Sequence, residues 1–263
     1  MSSLLVTELF AALGAAGVAG LAYGGLAYAS LWPGSRIFGK ALIAPNEPGE
    51  LALTFDDGPN GAWTPRLLDT LAGYGVNATF FLLGERAQAQ PKLVRRMVEA
   101  GNVIGNHSWS HPNLARSRSR QIREELKRTS ETLEQIAGAP VKFFRPPFGA
   151  RRPAVYRIAR ELGLHPVLWN VMTSDWSETS SARITERVVT RIERLRQSGR
   201  AANIVLHDGG HRIDGINREP SVTAAGNILA KYKDTCRFVT VAAWAEREMA
   251  TRKQCRPQST RPG

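Results

Sequence analysis

The chain has 263 residues, of which 43% are hydrophobic and 22% charged, so a disordered protein is excluded and a globular one indicated. This length accommodates one large α/β domain with a sizeable core. The formal net charge of +12 and the pI near 10.4 predict an anionic neighbourhood: anionic lipid, an acidic cell envelope or nucleic acid. No RNA-binding aromatic motif or zinc-finger spacing accompanies this charge, and we expect no nucleic-acid partner.

The N-terminal span from Leu9 to Trp32 contains no charged residue. As a helix it is long enough to cross a membrane, which requires about 20 residues, and we interpret residues 1–35 as a membrane anchor or signal segment. A signal peptide usually has a shorter apolar region, although the Ala-Tyr-Ala of residues 27–29 would serve as a cleavage site. A buried helix of the main domain is a third reading, which the five glycines of the span disfavour.

Residues 36–49 are proline-containing and are interpreted as a linker, and strands alternate with helices from residue 50 to residue 250. The first helix has Thr64 as its predicted N-cap and Pro65 at its first position. In chain order, the predicted elements are strand 51–55, helix 64–71, strand 78–83, helix 91–100, strand 103–104, helix 119–137, strand 141–144, helix 153–162, strand 167–171, helix 181–197, strand 202–206, helix 220–232, strand 238–241 and helix 242–249.

The C-terminal residues 251–263 are basic and are predicted to form a flexible tail. The two cysteines of the chain, Cys236 and Cys255, lie near this end. They could form one disulfide in an oxidising compartment, but their spacing excludes a CxxC metal site. We interpret each of them as an ordinary thiol.

The alternation of strands and helices, repeated about seven times, predicts a parallel sheet with right-handed crossovers. A closed sheet of this kind is a (β/α) barrel, and an open one is doubly wound. In a parallel barrel the carboxyl ends of the strands meet on one face, where active sites lie.

Two adjacent carboxylates, Asp56 and Asp57, follow the first predicted strand within the hexapeptide TFDDGP. Neighbouring negative charges repel, and such a pair usually requires a metal or an arginine nearby. The alternative is a polar turn, because Asp, Gly and Pro all favour turns.

Further polar residues follow later strands. His107 and His111 are four residues apart in HSWSH, a spacing that can direct two imidazoles at one metal, or that can belong to polar loop histidines. Arg145 opens the stiff turn RPPFG and is a good partner for a carboxylate. Asp175 and His207 follow the next two strands. Taken together, residues of these types at successive strand ends predict one catalytic site.

On five motifs, TFDDGP, HSWSH, RPPFG, Asp-Trp and Leu-His-Asp, the chain resembles the polysaccharide deacetylases of carbohydrate esterase family four, from about residue 49 to residue 250. The family includes chitin, chitooligosaccharide and peptidoglycan deacetylases. The resemblance implies a deformed (β/α) barrel of about seven parallel strands, preceded here by an N-terminal hydrophobic helix. It also implies metal-dependent hydrolysis of the N-acetyl amide of an amino-sugar glycan, with release of acetate.

Carried over to this chain, the resemblance makes Asp57, His107 and His111 the ligands of one divalent metal. We expect Zn²⁺, although Co²⁺, Ni²⁺ or Mn²⁺ suit the same donors. Metal-bound water would attack, because the metal lowers the pKa of that water to about 7. The resemblance also makes Asp56 the general base, oriented by Arg145, and His207 the general acid, held by Asp175. A backbone N–H close to Phe148 would stabilise the oxyanion. Trp176 and Leu206 would line the pocket for the acetyl methyl.

The chain departs from the family at Met172, where members often carry another Asp three residues before the Asp-Trp pair; because Asp175 is retained, we expect the acid to remain supported and the reaction class to be unchanged. His165 is expected to be structural and His211 to be a plain loop histidine. Two other functions stay open: deacetylation or deformylation of a lipid-linked sugar, and binding of carbohydrate without catalysis.

We expect a monomer anchored by a single membrane span, with the catalytic domain outside the cytoplasm. The charge rule alone places that domain in the cytoplasm, because Arg36 and Lys40 follow the span and no Lys or Arg precedes it.

Overall fold

The computed structural model describes residues 24–254, apart from the side chains of 252–254. Residues 24–31 form helix α1. The strands are β1 (Glu50–Gly58), β2 (Thr79–Leu82), β3 (Val103–Asn106), β4 (Phe143–Phe144), β5 (His165–Pro166), β6 (Val171–Met172), β7 (Ala202–His207) and β8 (Arg237–Phe238). The other helices are α2 (Thr64–Gly73), α3 (Gly84–Ala89), α4 (Pro91–Glu99), α5 (Ser119–Ala137), α6 (Pro153–Glu161), α7 (Ser181–Gln197), α8 (Glu219–Tyr232) and α9 (Val241–Gln254), with a 3₁₀ turn at Pro147–Gly149.

Seven strands lie in the order β5-β4-β3-β2-β1-β7-β6 and curl into a half-barrel, and β8 pairs with the start of β1. All of these pairs are parallel. The predicted deformed (β/α) barrel is confirmed. Since the strands are parallel, their carboxyl ends share one edge of the sheet.

Residues 41–45, which belong to the predicted linker, lie beside the edge strand β5 and the start of β7. Leu42 forms a parallel bridge with Val167, and the N–H of Ala201 donates to the carbonyl of Pro45 at 3.0 Å. The Asn203 side chain donates to the Ile43 carbonyl at 2.8 Å. This segment therefore supplies backbone partners at the open side of the half-barrel, between the edge strands β5 and β6.

All nine residues of β1 are buried, because both of its faces are covered. Leu51, Leu53 and Phe55 point into the large core beneath the helices. Thr54 and Asp56 alternate with them and face the interior of the half-barrel, where they meet Arg145. The barrel interior is thus polar near the carboxyl ends of the strands.

The predicted strand 167–171 is wrong. Pairing occurs instead at His165–Pro166 and Val171–Met172, on opposite edges of the sheet. Between them the Leu168 N–H donates to the Leu42 carbonyl, and the Asn170 side chain binds the backbone of Ala201 and Asn203 at the start of β7. The apolar run is buried, as expected of a strand, but its backbone crosses from one edge to the other.

Two details near the first helices also differ from the prediction. Trp63, not Thr64, occupies the N-cap position of α2, and the Thr64 hydroxyl accepts from Asn60 at 2.8 Å and donates to Asp208. Helix α3 was not predicted, because its six residues are too few to show a helical period.

Helix α1 docks against the catalytic domain through Arg151, whose side chain is fully buried. The Arg151 guanidinium donates to the carbonyl of Ser30 at 3.1 Å and to that of Trp32, both at the end of α1. In the part of the chain that the structure describes, no helix combines the length and apolarity needed to cross a membrane. Residues 9–23 of the predicted anchor, and Cys255 of the predicted tail, lie outside the described residues.

Candidate active site

The site begins where β1 ends, at the paired carboxylates. Asp57 has a positive φ of 67°, and the pairing register with β2 shifts between Asp56 and Gly58. This local bend lets two neighbouring side chains point differently, as a bulge does. A Cβ on Gly209 would lie 2.0 Å from the Asp57 carbonyl oxygen, so only glycine allows this close approach.

Asp57, His107 and His111 form a buried group whose ligand atoms all lie within 4.8 Å of one another. Asp57 Oδ1 lies 3.4 Å from His107 Nε2 and 3.2 Å from His111 Nε2, and it has no hydrogen-bond partner within residues 24–254. His107 is oriented by a 2.8 Å contact between its Nδ1 and the Arg145 carbonyl, which directs Nε2 at the same point. Two imidazoles and a carboxylate around one unsatisfied oxygen fit a divalent metal.

The charges in this group favour metal binding. Burial opposes ionisation of Asp57, but the neighbouring histidines, His107 and His211 foremost, outweigh burial and hold its pKa well below the ordinary value. Burial lowers the pKa of His111 to about 3. The group therefore presents a carboxylate and a neutral imidazole, the forms that bind metals.

Asp56 faces a different partner. Its Oδ1 accepts from Arg145 Nη1 at 2.7 Å, and the same Nη1 donates to the Thr54 hydroxyl at 2.8 Å. Arg145 is fully buried and lies over the Phe81 ring, with 4.2 Å between its Cζ and the ring centroid. Burial lowers the arginine's pKa, although Asp56 opposes this shift. The guanidinium thus fixes one carboxylate oxygen of Asp56.

His207, which is mostly buried, and Asp175, which is fully buried, form a second pair. His207 Nδ1 lies 2.9 Å from Asp175 Oδ1, and Asp175 Oδ2 accepts from the His207 N–H at 2.8 Å and from the Ser221 hydroxyl at 2.7 Å. Burial disfavours the imidazolium, but Asp175 outweighs burial and raises the pKa of His207 to about 9. His207 therefore holds a proton at neutral pH.

Two exposed aromatic rings flank these histidines. Phe148 packs edge-on against His111 with 4.5 Å between centroids, and Trp176 packs against His207 at 5.4 Å. Their side chains are 49% and 44% exposed. Each half of the site thus carries one aromatic at its rim.

Leu206 is not brought to the site. It is fully buried in the large core on the helix-facing side of β7. Val205 shares the opposite face and packs with Trp169 and Met172 inside the half-barrel. We therefore replace Leu206 by Val205 as the apolar residue of β7 on the inner side of the sheet, because side chains alternate along a strand.

His211 was expected to be a plain loop residue, yet it lies in the site. Its ring stacks on His111 at 4.2 Å, and its Nδ1 lies 3.4 Å from Asp57 Oδ2. His165, expected to be structural, is exposed on β5. The sequence signal that could have found His211 is the run His207-Asp208-Gly209-Gly210-His211, where an aspartate and two glycines separate two histidines.

Comparison with known proteins identifies the chain. The polysaccharide deacetylase family model matches residues 44–167. The peptidoglycan-N-acetylglucosamine deacetylase of Bacillus cereus is 39% identical over 78% of this chain and 71% of its own length. This chain belongs to the polysaccharide deacetylase family. It is accordingly a hydrolase that cleaves N-acetyl amides, and the predicted enzyme class is confirmed.

Two more members of the family are informative. The peptidoglycan-N-acetylmuramic acid deacetylase PdaC of Bacillus subtilis is 36% identical over 79% of this chain, which spans 41% of PdaC. The crystal structure of the Bc1960 peptidoglycan N-acetylglucosamine deacetylase superposes with a TM-score of 0.69, at 37% identity, over 77% of this chain and 91% of that one. The half-barrel described above is therefore the fold of this family.

Proposed function

We propose that this deacetylase hydrolyses the N-acetyl amide of N-acetylglucosamine in peptidoglycan. The observation that carries the proposal is the candidate metal group of Asp57, His107 and His111. The Asp56–Arg145 and His207–Asp175 pairs lie at the same edge of the sheet as this group. The Bacillus cereus relative and Bc1960 are both peptidoglycan N-acetylglucosamine deacetylases, which supports peptidoglycan as the polymer.

In this proposal Asp57, His107 and His111 hold one Zn²⁺, for which a carboxylate and two imidazoles are suitable ligands. The ion supplies, when bound, a Lewis acid that polarises the amide and acidifies water. The buried, unpartnered Asp57 Oδ1 is the observation of this structure that fits a cation.

Asp56 is the proposed general base. Arg145 fixes Asp56 Oδ1 at 2.7 Å, and Asp56 Oδ2 lies 4.0 Å from His107 Nε2, so the second oxygen faces the metal group. From this position Asp56 removes a proton from the attacking water as the water oxygen bonds to the acetyl carbon.

His207 is the proposed general acid. The C–N bond breaks as the sugar nitrogen takes a proton from His207, because an unprotonated amine anion is a poor leaving group. The raised pKa of about 9 keeps that proton in place at neutral pH, and Asp175 holds the Nδ1 side of the ring. The products are acetate and the free amine.

The rim residues are proposed to hold the sugar. Trp176 and Phe148 offer apolar ring faces on opposite halves of the site. A backbone N–H close to Phe148 is proposed to stabilise the oxyanion. Phe148 has a positive φ of 59°, a conformation that non-glycine residues adopt rarely and that recurs at functional sites.

We further propose that the enzyme is a monomer held at the outer face of a membrane. The uncharged run 9–32, the exposed apolar side chains of α1 and the net charge of +12 support this location. Anionic lipid and anionic envelope polymers both attract such a charge.

The test measures acetate release by the purified protein with added Zn²⁺ or Co²⁺ on three substrates: N-acetylglucosamine oligomers, peptidoglycan and polyprenyl-linked N-acetyl sugar. We expect peptidoglycan to be the best substrate. Activity confined to the lipid-linked sugar would select that substrate class instead.

Asp56→Asn separates base from ligand. This variant should lose acetate release by about 10²- to 10⁴-fold while binding one metal ion per chain as the wild type does. Near-normal turnover in Asp56→Asn would show that the assigned base is wrong.

A further inference from the structure

We propose that His211 is a positioning residue for the metal ligand Asp57, which it holds through the carboxylate oxygen turned away from the metal. This inference rests on the proposed role of Asp57 as a ligand. His211 is neither the base, the acid nor a metal ligand of the proposed reaction, although its side chain reaches the centre of the site.

The two oxygens of Asp57 have separate partners. Oδ1 faces His107 Nε2 and His111 Nε2 at 3.4 and 3.2 Å, whereas Oδ2 lies 3.4 Å from His211 Nδ1. A proton on His211 Nδ1 would tie up Oδ2 and leave Oδ1 for the ion. Hydrogen bonds to ligand groups fix their orientation, and their removal typically weakens metal binding by about 10- to 100-fold.

Ring packing fixes the plane of His211. The imidazole stacks on His111 with 4.2 Å between centroids and 18° between planes. Phe148 closes it from another side, edge-on at 5.5 Å. The other ring nitrogen, Nε2, is buried without a hydrogen-bond partner in the described part of the chain.

The backbone before His211 is fixed by two buried arginines. Arg218 Nε donates to the Gly209 carbonyl at 2.6 Å, and Arg86 Nη2 donates to the Gly210 carbonyl. Both arginines are less than a tenth exposed. Charge-assisted bonds to the two carbonyls that precede His211 hold the loop against the site.

Close packing explains the two glycines of this loop. A Cβ on Gly209 would meet the Asp57 carbonyl at 2.0 Å, and one on Gly210 would meet the Ile216 side chain at 2.7 Å. The run from His207 to His211 therefore places the proposed acid and the proposed positioning residue on one short segment that touches the backbone of Asp57.

Three substitutions separate the hydrogen bond from the packing. His211→Asn keeps an N–H donor near the position of Nδ1, His211→Phe keeps a stacking ring without a donor, and His211→Ala removes both. The matched control is His165→Ala, a change at the exposed histidine of β5. Melting temperature and circular dichroism report whether each variant folds.

The measurement is the Zn²⁺ dissociation constant by competition with a chromophoric chelator, with the visible spectrum of the Co²⁺-loaded protein as a second readout. We expect His211→Phe and His211→Ala to bind Zn²⁺ about 10- to 100-fold more weakly and to alter the Co²⁺ spectrum. His211→Asn should restore most of the affinity, and His165→Ala should match the wild type.

Wild-type affinity and an unchanged Co²⁺ spectrum in His211→Phe would overturn the inference. If His211→Ala does not fold, His211→Phe and His211→Asn decide the question. Asp57→Ala tests the underlying function separately: metal retained by Asp57→Ala would refute the ligand set, whereas metal lost there and kept in His211→Phe would refute the role of His211 alone.

Discussion

The two halves of the site use the same side chain in opposite states. His111 is buried beside other histidines, and burial lowers its pKa to about 3. His207 is also mostly buried, but the adjacent Asp175 outweighs burial and raises its pKa to about 9. One imidazole is thus a neutral electron-pair donor and the other a protonated acid at neutral pH.

The difference comes from which carboxylates each histidine faces. His111 faces Asp57 but also lies beside His107 and His211, and burial together with the repulsion from these histidines outweighs the attraction of Asp57. Asp175 faces His207 alone among the histidines and is oriented by Ser221. One pocket can therefore hold a metal and a proton source side by side, because each carboxylate selects the charge state of its neighbour.

Removal of a metal ligand should have the largest effect on this arrangement. Asp57→Ala leaves His107 and His111 without their shared carboxylate, and two imidazoles alone bind metal weakly. We expect metal content near zero and acetate release lower by at least about 10³-fold, because the Lewis acid supplies several kcal/mol. Elemental analysis of the purified variant and an acetate assay check this. A variant that retains one ion per chain would contradict it.

Removal of the acid should leave the metal half intact. In His207→Ala we expect kcat to fall by about 10²- to 10⁴-fold with no change in Zn²⁺ affinity. The matched control is His165→Ala, which should keep normal turnover because His165 is exposed on β5. If His207→Ala lost metal as well, metal binding and proton donation would not be independent functions of the two halves.

Much of this site was predictable because it depends on strand ends. Asp56, Asp57, His107, Arg145 and His207 each end a parallel strand or follow one directly, and parallel strands end on one face. Only the sequence of the local segments was needed to place them together.

The rest depends on features that local sequence does not contain. Val205 and Leu206 are both apolar, and only the sheet determines which of them faces inward. His211 reaches the site because Arg86 and Arg218, distant in sequence from each other, bind the loop before it. The segment 167–171 has the composition of a strand, but its backbone partners are divided among β4, residues 41–45 and β7.

Loss of the charge on Asp175 should return the pKa of His207 toward that of an ordinary histidine. His207 is protonated below its pKa of about 9, so an activity that requires the imidazolium persists below that pH and falls above it. In Asp175→Asn the pKa of His207 should drop to or below the ordinary value of about 6.5. The alkaline limb of the kcat profile should therefore move to lower pH, with kcat at pH 7 reduced by about 4-fold or more, since a pKa of about 6.5 leaves about a quarter of the imidazole protonated there.

Asp175→Asn should also lower the free energy of unfolding, and it should do so more at low pH than at high pH. Because the native pKa of His207 lies above the ordinary value, the stabilisation is complete below about pH 6.5 and is lost as the pH rises through about 9. The wild-type advantage over Asp175→Asn in free energy of unfolding should thus shrink between these pH values. Denaturant unfolding of both proteins at pH 6 and pH 10 measures it, and an advantage that grows with pH would contradict the pairing.

The smallest effects should come from the two rim aromatics, one on each half. Phe148 and Trp176 are about half exposed, so their removal leaves the metal group and the acid pair in place. If each ring contributes about 1 kcal/mol to sugar binding, Phe148→Ala and Trp176→Ala should each raise KM by about 5-fold. Equal binding in ground and transition states leaves kcat unchanged. A fall in kcat for Trp176→Ala alone would instead show that the contact of Trp176 with His207 positions the acid. In that case Trp176 would act in catalysis and Phe148 only in sugar binding.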